Sequence, residues 1–142
     1  MLIDQMKVVH ATNFSFYLKA HFFHWNVEGP FFPQLHELFG NIYEDAQLAV
    51  DNIAEHIRSI KGYAPGSFSR LAADSKIADQ VEVPQALPMI KMLSEDNDIL
   101  IVELFKAQKM AEVDSELGLA NYLQDRIDAH KKHGWMLRAT SK

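Results

Sequence analysis

Backbone punctuation constrains this chain most. Its six Gly and five Pro are few, and most of them fall in two places, residues 29–33 and 62–88. Glycine and proline end or bend helices, so the stretches on either side must run long and uninterrupted. Apolar residues recur there at helical spacing. A first helix from Leu2 to about Val27 carries Leu2, Met6, Val9, Phe16, Ala20 and Phe23 on one stripe. A second, from Pro33 in its first turn to Lys61, carries Leu35, Leu38, Ile42, Ala46, Ala49, Ile53, Ile57 and Ile60, and Gly62 stops it.

The third helix runs from about Pro88 to Ala111, with Met89, Leu93, Leu100, Leu104, Ala107 and Ala111 facing inward. Asp114 and Ser115 offer an N-cap for a fourth, which reaches about Ala139 and buries Leu117, Ala120, Leu123, Ile127 and Leu137. Residues 62–87 between the second and third helices are rich in turn formers, with room for one short helix around Ser69–Ala73. Short links flanking one long connection predict an all-α, four-helix bundle whose single long crossover carries a short extra helix. At 142 residues, 48% hydrophobic and 23% charged, the chain suits a single globular domain, 1–142.

Four metal-ligand side chains stand out against this frame. His24 ends the first helix and His36 begins the second, so the turn at Gly29-Pro30 brings the two imidazoles together. Asp51 and Glu55 are four apart, which stacks them on one helix face where they can share a cation. His36 and Asp51, however, are fifteen residues apart on one helix, about 22 Å at 1.5 Å per residue. One chain therefore cannot close the site. A second copy packed antiparallel across a twofold axis would, giving two identical intersubunit sites.

An in-chain alternative uses His10 with Asp51 and Glu55, completed by Glu103 or His130 from the last two helices. A lone histidine such as His10 otherwise reads as a packed residue. His130 and His133 are three apart, but Lys131 and Lys132 flank them and discourage a cation, so they read as surface or interface residues. Trp25 and Tyr43 lie near the histidines, either as ordinary packing or as oxidisable aromatics beside a redox metal. Acidic residues near the start of the last helix, Asp114, Glu116, Asp125 and Asp128, are solvated surface or, in an oligomer, the lining of a cation channel.

The chain has no cysteine, so a metal must be held by His, Asp and Glu, which suits iron, manganese or zinc. The opening residues are too acidic and polar for a signal peptide, and no stretch approaches the roughly 20 apolar residues of a membrane span. A cytoplasmic protein with no membrane partner is expected. A net charge of −5 argues against non-specific nucleic-acid binding.

The runs HFFHWNVEGPFF, LHELF with His36, DNIAE at 51–55 and the late HKKHGWMLRA resemble the Dps family of miniferritins over nearly the whole chain. His24, His36, Asp51 and Glu55 coincide in spacing with that family's ferroxidase ligands. The resemblance implies a ferritin-like bundle assembled as a hollow homododecamer of twofold dimers. Iron(II) would bind at the dimer interfaces, be oxidised by hydrogen peroxide or more slowly by oxygen, and be stored as ferric mineral. Trp25 would be the aromatic beside the site, and zinc or manganese would be alternative occupants.

Two departures qualify this. The family usually has an acidic residue four positions after the second histidine, and here that place is Gly40, which predicts weakened iron affinity or an altered metal preference. Glu37 and Glu44 are misplaced on the helix to substitute directly. The basic N-terminal extension that supplies phosphate contacts in DNA-coating members is also absent. Twelve copies at −5 each carry a formal −60, so DNA binding is expected to be weak or absent. The competing reading is a structural, DNA-compacting shell whose ferroxidase site is impaired at Gly40.

Overall fold

The computed structural model describes residues 1–142 as five helices with no strands: α1 (Leu2–Asn26), α2 (Phe32–Ser59), α3 (Phe68–Asp74), α4 (Ala86–Val113) and α5 (Leu117–Thr140). α1 pairs with α2 and α4 with α5, α1 also packs on α4, and α3 lies across α1. This is the four-helix bundle with one long crossover, and α3 is the crossover's short helix. No helix is long and apolar enough to cross a membrane.

The stripes read from the sequence form the core. Met6, Phe16, Phe23, Ile42, Ile53, Ile57, Met89, Leu93, Leu100, Leu104 and Leu123 are fully buried, joined by Phe39, which lies off the expected stripe. Leu38 and Ile60 are half-buried at its margin. Leu117, expected inside, is 63% exposed, and Leu119 takes the buried place instead.

The helix ends explain that shift. Ser115 has φ +59 and the Glu116 N–H donates to the Ala111 carbonyl at 2.8 Å, so Ser115 closes α4 as a left-handed C-terminal residue. It is not the N-cap of α5; Glu116 is, without a side-chain bond. α2 ends alike: Lys61 takes φ +78, and the Gly62 N–H reaches the Ile57 carbonyl at 2.9 Å. Gly62 is needed for space, because a β-carbon there would lie 2.7 Å from Cγ2 of Ile3 and 3.0 Å from Cγ2 of Ile57. At the first hairpin, Gly29 adopts φ +122, and Pro33 follows in the first turn of α2.

Candidate functional site

The turn at 27–31 places the last turn of α1 against the first turns of α2, and His24 and His36 meet there. Their rings stack with centroids 3.7 Å apart and planes at 17°. Nδ1 of His24 donates to the His36 carbonyl at 2.6 Å, and Nδ1 of His36 donates to the His24 carbonyl at 2.7 Å. A carbonyl can only accept, so each neutral ring carries its proton on Nδ1 and keeps its Nε2 lone pair free. Both rings are half-buried and oriented by backbone, the arrangement that fixes a ligating histidine.

Gly40 belongs to this clasp. A β-carbon at 40 would sit 3.1 Å from both Cε1 and Nδ1 of His24, so the ring occupies the space beside the α2 backbone that a side chain would take. A carboxylate is absent from this position, and a larger residue would have to displace His24.

Asp51 and Glu55 lie on the same helix as His36 but about 22 and about 28 Å further along it at 1.5 Å per residue, out of reach of that clasp, and both are exposed. No three His, Asp or Glu side chains of one chain are gathered in a metal-binding cluster. The in-chain alternative is not assembled. Nε2 of His10 donates to the Pro65 carbonyl at 2.8 Å, tying the crossover to α1. Glu103 is buried and accepts from Gln5 and Lys106.

Aromatic side chains surround the histidine pair. The His21 ring lies parallel to Tyr43, 3.8 Å away at 5°, and against Trp25 at 4.0 Å. Tyr43 is 5.1 Å from His24, and Phe32 stacks on His36 at 5.1 Å. Trp25 itself is 58% exposed.

His130 and His133 are not surface residues as their lysine neighbours suggest. His130 is wholly buried, its Nδ1 donating to Asn97 Oδ1 at 2.9 Å and its Nε2 accepting from Arg126 at 3.1 Å. Burial, with Arg126 and His133 nearby, holds its imidazole well below its ordinary pKa, so it is neutral. Arg126 grips Asp45 through two bonds of 3.0 and 2.8 Å, and His133 Nε2 donates to the same carboxylate at 2.7 Å. Burial alone would raise the Asp45 carboxyl, but the bonds and charges of His133 and Arg126 override it and hold it well below the usual carboxylate range. Lys19 and Asp96 form a second buried pair, 2.7 Å apart. Inward-pointing polar residues amid apolar stripes were the only sequence signal for either.

A ferritin-like domain model matches residues 3–142. The DNA protection during starvation protein of Brevibacillus brevis is 35% identical over 124 residues, covering 87% of this chain and 83% of the relative. Among solved structures, a Dps protein from Bacillus brevis superposes with TM-score 0.94 at 29% identity, over 99% of this chain and 95% of the other. A Dps protein from Vibrio cholerae O1, described as a member of a broad superfamily of ferritin-like diiron-carboxylate proteins, does so with TM-score 0.94 at 27% identity, over 99% and 89%.

Proposed function

We propose a function from one premise: the chain belongs to the ferritin-like family and, within it, to the Dps proteins. It is an iron(II)-oxidising, iron-storing miniferritin that removes peroxide and free iron together. The chain acts as one domain of a cytoplasmic homododecamer built from twofold dimers. His24 and His36 of one subunit, with Asp51 and Glu55 of its mate, bind iron at the interface, and Trp25 stands beside it.

The observation that carries this reading is the pair of stacked imidazoles with free Nε2 atoms, one from each helix of the hairpin, which the exposed carboxylates further along α2 cannot reach within one chain. Two imidazoles and two carboxylates suit iron(II), and their anionic oxygens hold iron(III) better, favouring oxidation. Zinc and manganese compete for the same donors. Hydrogen peroxide takes one electron from each of two iron(II) ions, its O–O bond breaks, and two hydroxides form, so no hydroxyl radical escapes. Oxygen is the slower oxidant.

The test is iron(II) oxidation, followed by absorbance on anaerobic peroxide addition, in protein sized by light scattering. Fast oxidation by a shell-sized particle is expected. It should be lost in Asp51→Ala/Glu55→Ala, two positions exposed in the single chain, with light scattering showing that the variant still assembles. A double variant that oxidises iron at the wild-type rate would overturn the site. Gly40 favours a second reading, a structural shell that compacts DNA with an impaired site. Retention of DNA in a gel shift at moderate salt, without iron oxidation, would select it. With a net charge of −5 per chain, little retention is expected.

A further inference from the structure

The last helix carries a histidine pair of its own, His130 and His133, set against one carboxylate and one cation. Nη2 of Arg126 lies 2.8 Å from Oδ2 of Asp45 and 3.1 Å from Nε2 of His130. Nε2 of His133 is 2.7 Å from the same carboxylate oxygen. Two imidazoles and a carboxylate therefore gather about the tip of one guanidinium. Its inner nitrogen, Nε, is buried without a partner, so the polar groups here answer the tip and not the whole side chain.

A divalent metal takes this donor set. Three ligands of histidine and carboxylate type with water in a fourth position describe open zinc sites, and two histidines with one carboxylate also suit iron(II). The bond that would orient a ligand is already made: Nδ1 of His130 donates to Oδ1 of Asn97 at 2.9 Å, which fixes the tautomer whose Nε2 can face an ion. The His130 and His133 rings are T-shaped with centroids 5.4 Å apart. Two imidazoles on one tetrahedral zinc, each nitrogen about 2.0–2.1 Å from it, place their ring centres about 5 Å apart. With Arg126 among them, the three side chains do not close into a metal-binding cluster. Lys131 and Lys132 are exposed to solvent, so the cation that matters here is Arg126, which is buried.

We propose that Arg126 is the resident cation of a latent two-histidine, one-carboxylate site inside the bundle, and that its guanidinium keeps zinc and iron(II) off Asp45, His130 and His133. A guanidinium stays charged at every working pH, so this occupant does not leave by losing a proton. Without it, Asp45 and two neutral imidazoles would hold an uncompensated negative charge away from water and draw a cation in. Helical bundles build metal sites from side chains on facing helices, and here α2 and α5 supply the donors. Arg126 closes that interior to metal. The proposal does not depend on the ferroxidase reading.

The experiment is zinc calorimetry on assembled wild-type and Arg126→Ala protein, with thermal unfolding of each in the presence and absence of zinc. Arg126→Ala vacates room for an ion and its water, and is expected to bind one more zinc per chain than wild type. Counting against wild type cancels any zinc held between subunits. The Tm of the variant should fall without zinc, because Asp45 is stranded, and recover as zinc is raised, because a ligand bound by the native state stabilises it. The extra site should be absent from Arg126→Ala/His133→Ala, and from Arg126→Lys, which keeps a positive charge in place. A wild-type zinc count in Arg126→Ala, an extra site that survives the loss of His133, or an equal extra site in Arg126→Lys each overturns the proposal. An Arg126→Ala protein that folds only with zinc supports it. One that stays unfolded in excess zinc overturns it, since the metal would then be no substitute for the guanidinium.

Discussion

Replacing Gly40 by alanine is expected to weaken metal binding while leaving the fold about as stable as before. The added β-carbon would lie 3.1 Å from Cε1 and Nδ1 of His24, inside the about 3.5–4.0 Å at which carbon atoms pack best. The ring must move by several tenths of an ångström. It is held by the 2.6 Å bond from its Nδ1 to the His36 carbonyl, so the movement stretches that bond. Losing a neutral hydrogen bond costs about 1 kcal/mol, and alanine for glycine inside a helix returns about 0.8–1 kcal/mol. The two nearly cancel in stability. They do not cancel at the site, where loss of a hydrogen bond that orients a ligating imidazole typically weakens metal affinity about 10–100-fold. Zinc is the convenient probe because it is redox-silent; its binding is measured by calorimetry and stability by urea unfolding. Wild-type zinc affinity in a folded Gly40→Ala protein would refute the reasoning. Gly40→Asp should show the same displacement of His24, so adding the family's usual carboxylate would not simply restore it.

Lys19→Met should cost about 3–5 kcal/mol in urea unfolding, because it strands the buried Asp96 carboxylate. The deficit should shrink at lower pH: burial already raises the Asp96 pKa against the pull of Lys19, and the variant can neutralise Asp96 by protonation. An equal deficit at all pH values would mean that lost packing, not charge, is responsible. Asp45 should control acid sensitivity. Its folded pKa is depressed, so its contribution is fully present above the unfolded value near 3.8 and is lost as pH falls below it. Asp45→Asn should therefore be less stable than wild type at neutral pH and lose less stability on acidification below about pH 4. Parallel pH–stability curves for the two proteins would refute this.

Much of the architecture was legible because helices announce themselves locally. Glycine and proline at 29–33 and 62–88 set the hairpin and the crossover, and Leu2, Met6, Val9, Phe16, Ala20 and Phe23 of α1 are buried as their helical spacing predicts, although His10 to Asn13 between them are buried as well. The meeting of His24 and His36 followed from the turn between them, and its reciprocal backbone bonds did not. Errors arose where a residue's role depends on a neighbour from another helix. Lys131 and Lys132 make His130 look exposed, yet it points between α4 and α5, where Asn97 and Arg126 satisfy both ring nitrogens.

The sequence by itself determined the helices, their apolar faces, and the separation of about 22 Å that keeps His36 and Asp51 apart on one rigid rod. Those depend on periodicity and rise, which are properties of a single helix. Only the tertiary structure decided that Gly40 is the floor under the His24 ring, that Gly62 is kept small by Ile3, and that Lys19 pairs with Asp96 and Arg126 with Asp45. Spacing along one helix says which face a residue is on. What stands opposite that face, and within how many tenths of an ångström, is set only when the helices pack.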